Sequence, residues 1–377
     1  QIGYVLLAFL IAFLCFKGLL FLLKENYGIE FPTGEEIFLS ENRGEDWIAI
    51  KTAAKQNVGG NSIVFDPQNS QNLYLASAEG IFKSESKGKK FTAKATEFQT
   101  ETKPALISEF ITDPQDPNII YLLSEEIGRN KILVSYNGGE NFKPIFISGE
   151  DDKITAFSPD PFSPRYLYIG TKKGVILKSE DFGHSWKKKE DFGRKIKQIA
   201  INPHKRFVDV RHRTEYREIY IVLPLIKSPP YSPPPLSETP AKTLISRDWG
   251  ESFNEFKPKI DSPKIITLPE IKEIIFDLNL ENRVYFISDF LLLRLKGNKV
   301  EIVKVIFPSQ RNKINVFTID PENSNILYLG AEGLIYLSEN GGDDWQVIEP
   351  PVRGKIKEIK INPTDPNMLL LSITETW

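Results

Sequence analysis

INVFTIDPENSNILYLGAEGLIYLSENGGDDW, residues 314–345, is the unit of which nearly everything from residue 34 to 377 reads as a worn copy. It spells a buried strand at 314–319, a turn opened by Asp320-Pro321, a second strand at 326–329, a glycine break, a third strand at 334–337 and the closing turn SENGGDDW. Short strands with turn signals between them, recurring at a fixed period, specify a repeat architecture rather than an ordinary domain.

The closing turn runs through the chain as S-x-[D/N/S]-x-G-x-x-[W/F]. Its copies are Ser40, Asn42, Gly44 and Trp47; Ser84, Gly88 and Phe91; Ser135, Asn137, Gly139 and Phe142; Ser179, Asp181, Gly183 and Trp186; Ser246, Asp248, Gly250 and Phe253; and Ser338, Asn340, Gly342 and Trp345. The serines are 44, 51, 44, 67 and 92 residues apart, and since the last gap is twice 46, one unit there has lost its turn. Its strands survive at 271–277, 284–287 and 291–295, with Lys296-Gly297-Asn298 expected to close a tighter turn in place of the motif.

The chemistry of these positions is local. Serine and Asp or Asn side chains hydrogen-bond backbone within a turn, glycine supplies a positive φ, and the aromatic ring packs between neighbouring sheets. The motif resembles the Asp-box, or bacterial neuraminidase repeat, which lies between the third and fourth strands of β-propeller blades. The resemblance implies an all-β, seven-bladed propeller over residues 34–377, with the boxes as structural staples away from the ligand face.

Composition agrees with one such domain. With 48 basic and 50 acidic residues the chain is nearly neutral, so nothing global argues for nucleic acid. A single cysteine excludes an internal disulfide and any cysteine-built zinc site. His184, His204 and His212 show no metal-ligand spacing, and there is no phosphate loop, nucleophile elbow or calcium-loop pattern. No metal or cofactor is therefore expected, and the acidic clusters Glu125-Glu126 and Glu150-Asp151-Asp152 read as solvated loops.

Residues 2–23 are almost unbroken apolar side chains, about 33 Å as a helix, long enough to cross a bilayer. Residues 1–24 are thus expected to be a single membrane span with Lys17 snorkelling, and 25–33 a tether. A lipoprotein signal ending at Cys15 is the rival; Leu14 before the cysteine and continued apolar sequence after it disfavour that reading.

The propeller begins with half a unit. Residues 36–39 form a third strand with no first or second before it, whereas 356–363 and 368–373 form first and second strands with no third after them. Joining them completes one blade and removes the open edges of the ring. The longest unit, 196–253, carries a proline-rich insertion, SPPYSPPPLSETP at 228–240, which forbids a ladder strand and favours an extended loop.

Sialidases share the box but need an arginine cluster on their inner strands and an R-I-P motif, and the first strands here hold no arginine. Xyloglucanases with these boxes build their cleft from two propellers. The chain resembles the photosystem II stability and assembly factor family. That resemblance implies a non-catalytic, membrane-tethered, extracytoplasmic scaffold binding subunits of a membrane protein complex; the alternative is a glycan-binding or sialidase-like glycoside-hydrolysing propeller. The expected binding face is a basic mouth. Lys153, Lys195, Lys313 and Lys355 each precede a first strand, Arg194, Arg311 and Arg353 lie just upstream of three of them, and Lys205, Arg206, Arg211, Arg213 and Arg217 form a second cluster.

Overall fold

The computed structural model describes residues 35–374 apart from 51–61, 78–79, 95–105, 114, 127, 205, 210–213, 227–238, 262–266, 298 and 308–311. Among the described residues there are seven sheets of four or five strands, antiparallel but for one strand pair, and one separate hairpin. We number the sheets as blades 1–7 and their strands a to d from the axis outward. The expected membrane span, the tether and most of the proline-rich insertion lie outside the described residues.

The reference unit forms blade 7: Ile314–Ile319, Leu327–Ala331, Leu334–Ser338 and Gln346–Ile348. Its b strand runs straight through Gly330 to Ala331, so the expected glycine break is shorter than the sequence suggests. Gly330 pairs with Val316, and a Cβ there would lie 2.7 Å from the Val316 side chain and 2.9 Å from that of Ile356 in the next blade. Glycine is needed for that close approach. The real break follows at Glu332-Gly333, where φ values of 50° and 77° make a two-residue hairpin.

Blade 1 is built from both halves of the chain, as expected. Its order is Lys355–Ile361, Leu369–Thr374, Glu35–Ser40 and Ile48–Ala49, with Ile37 opposite Ser372 and Phe38 opposite Leu371. Seven apolar clusters then close the ring, because each is shared by two successive blades. Phe38, Ile356 and Leu371 of blade 1 join Tyr328 and Ile335 of blade 7, while Ile37, Leu39 and Leu370 join Ile63 and Leu75 of blade 2.

The six box turns share one geometry. In each, the serine Oγ accepts the amide of the glycine four residues on, at 2.8–2.9 Å. The third residue of the turn, Asn, Asp or Ser86, accepts the amide six residues beyond the first serine. The aromatic reaches the preceding blade: Trp186 Nε1 donates to Ile145 O at 3.0 Å and its ring meets Phe146 edge-on. Blade 6 replaces the box with a direct hairpin pairing Lys296 with Lys299, and gains a fifth strand, Lys259–Ile260, parallel to Lys299–Val303.

A second set of staples sits at the a–b turns. Asp66, Asp113, Asp160, Asn202, Asp277, Asp320 and Asn362 all accept the amide two residues on, at 2.8–3.0 Å. Several of the following side chains bond the next blade: Gln68 to Gln115 O, Gln115 to Pro161 O, His204 to Asp277 O and Asn279 to Pro321 O. Because strands alternate in direction, these turns and the boxes share one face. The b–c hairpins and the d–a connections share the other.

Blade 5 departs further from its unit than its proline-rich loop foretells. A second insertion, the hairpin Arg206–Asp209 with Thr214–Tyr216, lies between strands a and b.

Candidate functional site

The d–a connections bring the chain to the inner strands, and this is where the sequence places its basic mouth. Lys153, Lys195, Lys313 and Lys355 do stand at the same point of blades 4, 5, 7 and 1, on the face opposite the boxes. Lys195, Arg353 and Lys355 are exposed and Lys153 is half-buried. Two of the seven residues are otherwise engaged. Arg194 is buried, with Nη1 donating to Pro240 O at 2.7 Å, so it fastens the foot of the proline-rich insertion instead of facing solvent. Lys313 pairs with Asp289 at 3.2 Å and lies over the Phe290 ring. Arg311 is outside the described residues.

Of the second cluster, Arg206 and Arg217 lie on the other face, at the a–b end of blade 5. Arg217 is not a free cation: it is buried, its Nε donates to Asp160 Oδ2 of blade 4 at 2.9 Å, and its guanidinium sits between the rings of Phe162 and Trp249. It is an inter-blade tie. Backbone alone is described for Arg206, and Lys205, Arg211 and Arg213 lie outside the described residues.

The inner strands themselves carry charge that the sequence reading passed over. Aligning them on their first isoleucine (Ile107, Ile154, Ile196, Ile271, Ile314, Ile356) puts Ser108, Thr155, Lys197, Lys272, Asn315 and Lys357 in the next tier. Glu109, Ala156, Gln198, Glu273, Val316 and Glu358 form the tier below. The tiers are stitched across blades. Thr155 Oγ1 donates to Ile196 O at 2.6 Å, Lys272 Nζ to Ile314 O, and Gln198 exchanges two bonds with the backbone of Ile274. Three lysines, Lys197, Lys272 and Lys357, thus follow the first isoleucine of three inner strands, and three glutamates, Glu109, Glu273 and Glu358, occupy the next position in their strands; Lys272 is paired with Asp289. The repeated Lys-Ile-Lys at 195–197 and 355–357 is the signal that could have found two of them.

Burial governs the electrostatics here. It pulls the Lys197 ammonium below the ordinary lysine value, with Lys272 adding and Glu270, Asp289 and Glu273 opposing. Burial pushes the Glu109 carboxyl up to about 7, and pushes Glu273 up to about 7 with Lys197 opposing and Glu358 adding. Glu358 pairs with Lys360 at 3.2 Å. At the rim burial acts to raise Asp289, but the ammonium groups of Lys272 and Lys313 outweigh it and hold the carboxyl below its usual range. Among the described residues no group of three His, Cys, Asp or Glu side chains is arranged to hold a metal ion.

No family model matches the sequence, and no curated protein is similar to it. Solved structures share the fold. A GH74 enzyme of Niastella koreensis matches with a TM-score of 0.62 and 15% identity, over 90% of this chain and 53% of the enzyme. This chain thus spans about half the length of that enzyme. YCF48 from Cyanidioschyzon merolae matches at a TM-score of 0.55 and 14% identity, over 83% of this chain and 94% of its own. A structure described as YCF48 bound to D1 peptide matches at 0.56 and 11% identity, over 84% and 93%. At these identities the likeness is one of fold, and the chain is a seven-bladed β-propeller.

Proposed function

We propose that this propeller is a non-catalytic scaffold that binds acidic segments of other proteins at its basic mouth, as an assembly factor or accessory subunit of a membrane protein complex. Residues 2–23 hold it at the bilayer, with the propeller on the extracytoplasmic side. One observation carries the reading: a nearly neutral chain gathers Lys195, Arg353 and Lys355 at exposed d–a connections, with Lys197 and Lys357 two residues further along the chain from Lys195 and Lys355. Such a ring attracts and orients acidic partners. The YCF48 structure with its D1 peptide supports protein binding as a use of this fold.

The test is charge reversal at three exposed sites (Lys195→Glu, Arg353→Glu, Lys355→Glu), with gentle detergent extraction from native membranes and cross-linking. Partner capture should fall with little change in melting temperature. Wild-type recovery of partners by the triple variant would show that the mouth is not the docking face.

A second reading, glycoside hydrolysis, has two observations in its favour: the GH74 likeness, and carboxyls at Glu109 and Glu273 whose ionisation suits acid–base work near neutral pH. Xyloglucan turnover by the purified chain that is lost in Glu273→Gln would favour it over the scaffold.

A further inference from the structure

The chain enters the ring on the face opposite the boxes. Strand c of blade 1 runs from Glu35, opposite Thr374, to Ser40, which opens the first box turn, so its first residue stands at the end shared by the b–c hairpins and the d–a connections. The apolar residues 2–23 are joined to that strand by the tether 25–33, which spans at most about 30 Å. Presenting the boxes to the bilayer would spend about 20 Å of that reach climbing the length of the strand.

Side chains at the same end of the neighbouring blades suit a lipid surface. Ile306 is 88% exposed, while Val305 and Phe307 on either side of it pack on the core shared by blades 6 and 7, the Phe307 ring edge-on to Tyr336 at 5.3 Å. The isoleucine between them is thereby held outward. Phe290, in the b–c hairpin of blade 6, is half exposed and lies under the Lys313 ammonium. Exposed Lys304 stands on the connection that carries Ile306, and exposed Arg353 and Lys355 on the next one round the ring. Apolar tips among cations match the boundary between acyl chains and phosphate headgroups.

Charge separates the two ends of blades 6, 7 and 1. At the box end the turns 40–47, 277–283, 320–326, 338–345 and 362–368 all carry net negative charge, which an anionic surface repels. At the mouth end the connections 304–313 and 349–355 are net positive; with Glu35, Glu36, Asp289 and Glu332 that end is close to neutral, so nothing opposes contact by the apolar tips. Exposed apolar side chains also stand on the box face, Leu278 and Leu280 among them, but within its negative field.

We propose that the propeller rests on the bilayer by the mouth end of blades 6, 7 and 1, with Ile306 and Phe290 entering the headgroup layer and Lys304, Arg353 and Lys355 at the phosphates. The channel then opens toward the membrane, and the segments that reach it are those close to the bilayer. The inference rests on residues 2–23 being a membrane span.

The experiment uses the full chain with Cys15→Ser, its sole native cysteine, in vesicles of equal parts phosphatidylcholine and phosphatidylglycerol. An environment-sensitive fluorophore is placed at Ile306→Cys or, on the box face of blade 6, at Leu278→Cys, and flotation with the vesicles reports the anchor. The label at 306 should shift to the blue and be quenched by a nitroxide carried on the lipid headgroup, and the label at 278 should do neither. Phe290→Asp should weaken the quenching at 306 with little change in melting temperature. No quenching at 306, or equal or stronger quenching at 278, in chains that float overturns the orientation while leaving the span standing. A chain that does not float with the vesicles overturns the span, and the orientation with it.

Discussion

At the scale of single residues, the box serine is the clearest staple. Ser179 Oγ accepts the Gly183 amide at 2.8 Å and donates to Asp181 at 2.8 Å. Asp181 in turn bonds the Ser185 hydroxyl and amide, contacts that with Ser179 hold its carboxyl down to about 2. Ser179→Ala strands a buried N–H and should cost about 1–3 kcal/mol in urea denaturation without changing partner capture. Trp186 is only half-buried, so Trp186→Ala should cost about 3 kcal/mol, the lower end of large-to-small changes. Glu109 and Glu273 of the inner strands behave oppositely, because burial raises their folded-state carboxyls above the ordinary 4.5 to about 7. The stability they contribute is fully present below that value and is lost as pH rises through about 7. Glu109→Gln and Glu273→Gln should each flatten this decline and raise the melting temperature at pH 8. Equal pH dependence of melting in wild type and variants would refute it.

At the scale of elements, what a single unit can encode was legible and what passes between units was not. The turn motif, the strands and the split blade were readable because their hydrogen bonds fall within about ten residues, or because half-units announce a missing half. Gly330 falls outside the strand read from its own unit, but it lies within that strand, where Val316 and Ile356 of the next blade leave no room for a side chain. Arg194 and Arg217 count as surface charge in sequence, and contacts 46 and 57 residues away bury them. The hairpin of blade 5 shares the 67-residue serine interval with the proline-rich loop, which masks it, and the parallel strand Lys259–Ile260 fits within the 92-residue gap of two ordinary units, so no count of spacings reveals it. Gly330→Val should therefore act across the blade boundary. It forces a side chain against Val316 and Ile356 and should destabilise by about 1–3 kcal/mol or more, with Ile356→Ala partly compensating in the double variant. Additive costs would show that the two positions do not meet.

At the scale of the whole molecule, the ring stands or falls on strand c of blade 1. Ile37 lies in the middle of that strand, facing Ser372 on one side, and its carbonyl accepts the Ile50 amide on the other. Ile37→Pro should lower the melting temperature of all seven blades together in one calorimetric transition, because the cores of blades 7 and 2 both lean on blade 1. A separate early transition for blade 1 alone would contradict this. The same pairing has a consequence in time. Glu35–Ser40 waits for Leu369–Thr374, more than three hundred residues later, so a nascent chain travels through most of its synthesis with an unmatched sheet edge at its leading end. Closure must be a late step, and until it happens exposed strands compete with those of neighbouring chains. Folding yield should fall with protein concentration much more steeply than the stability of the finished ring would suggest.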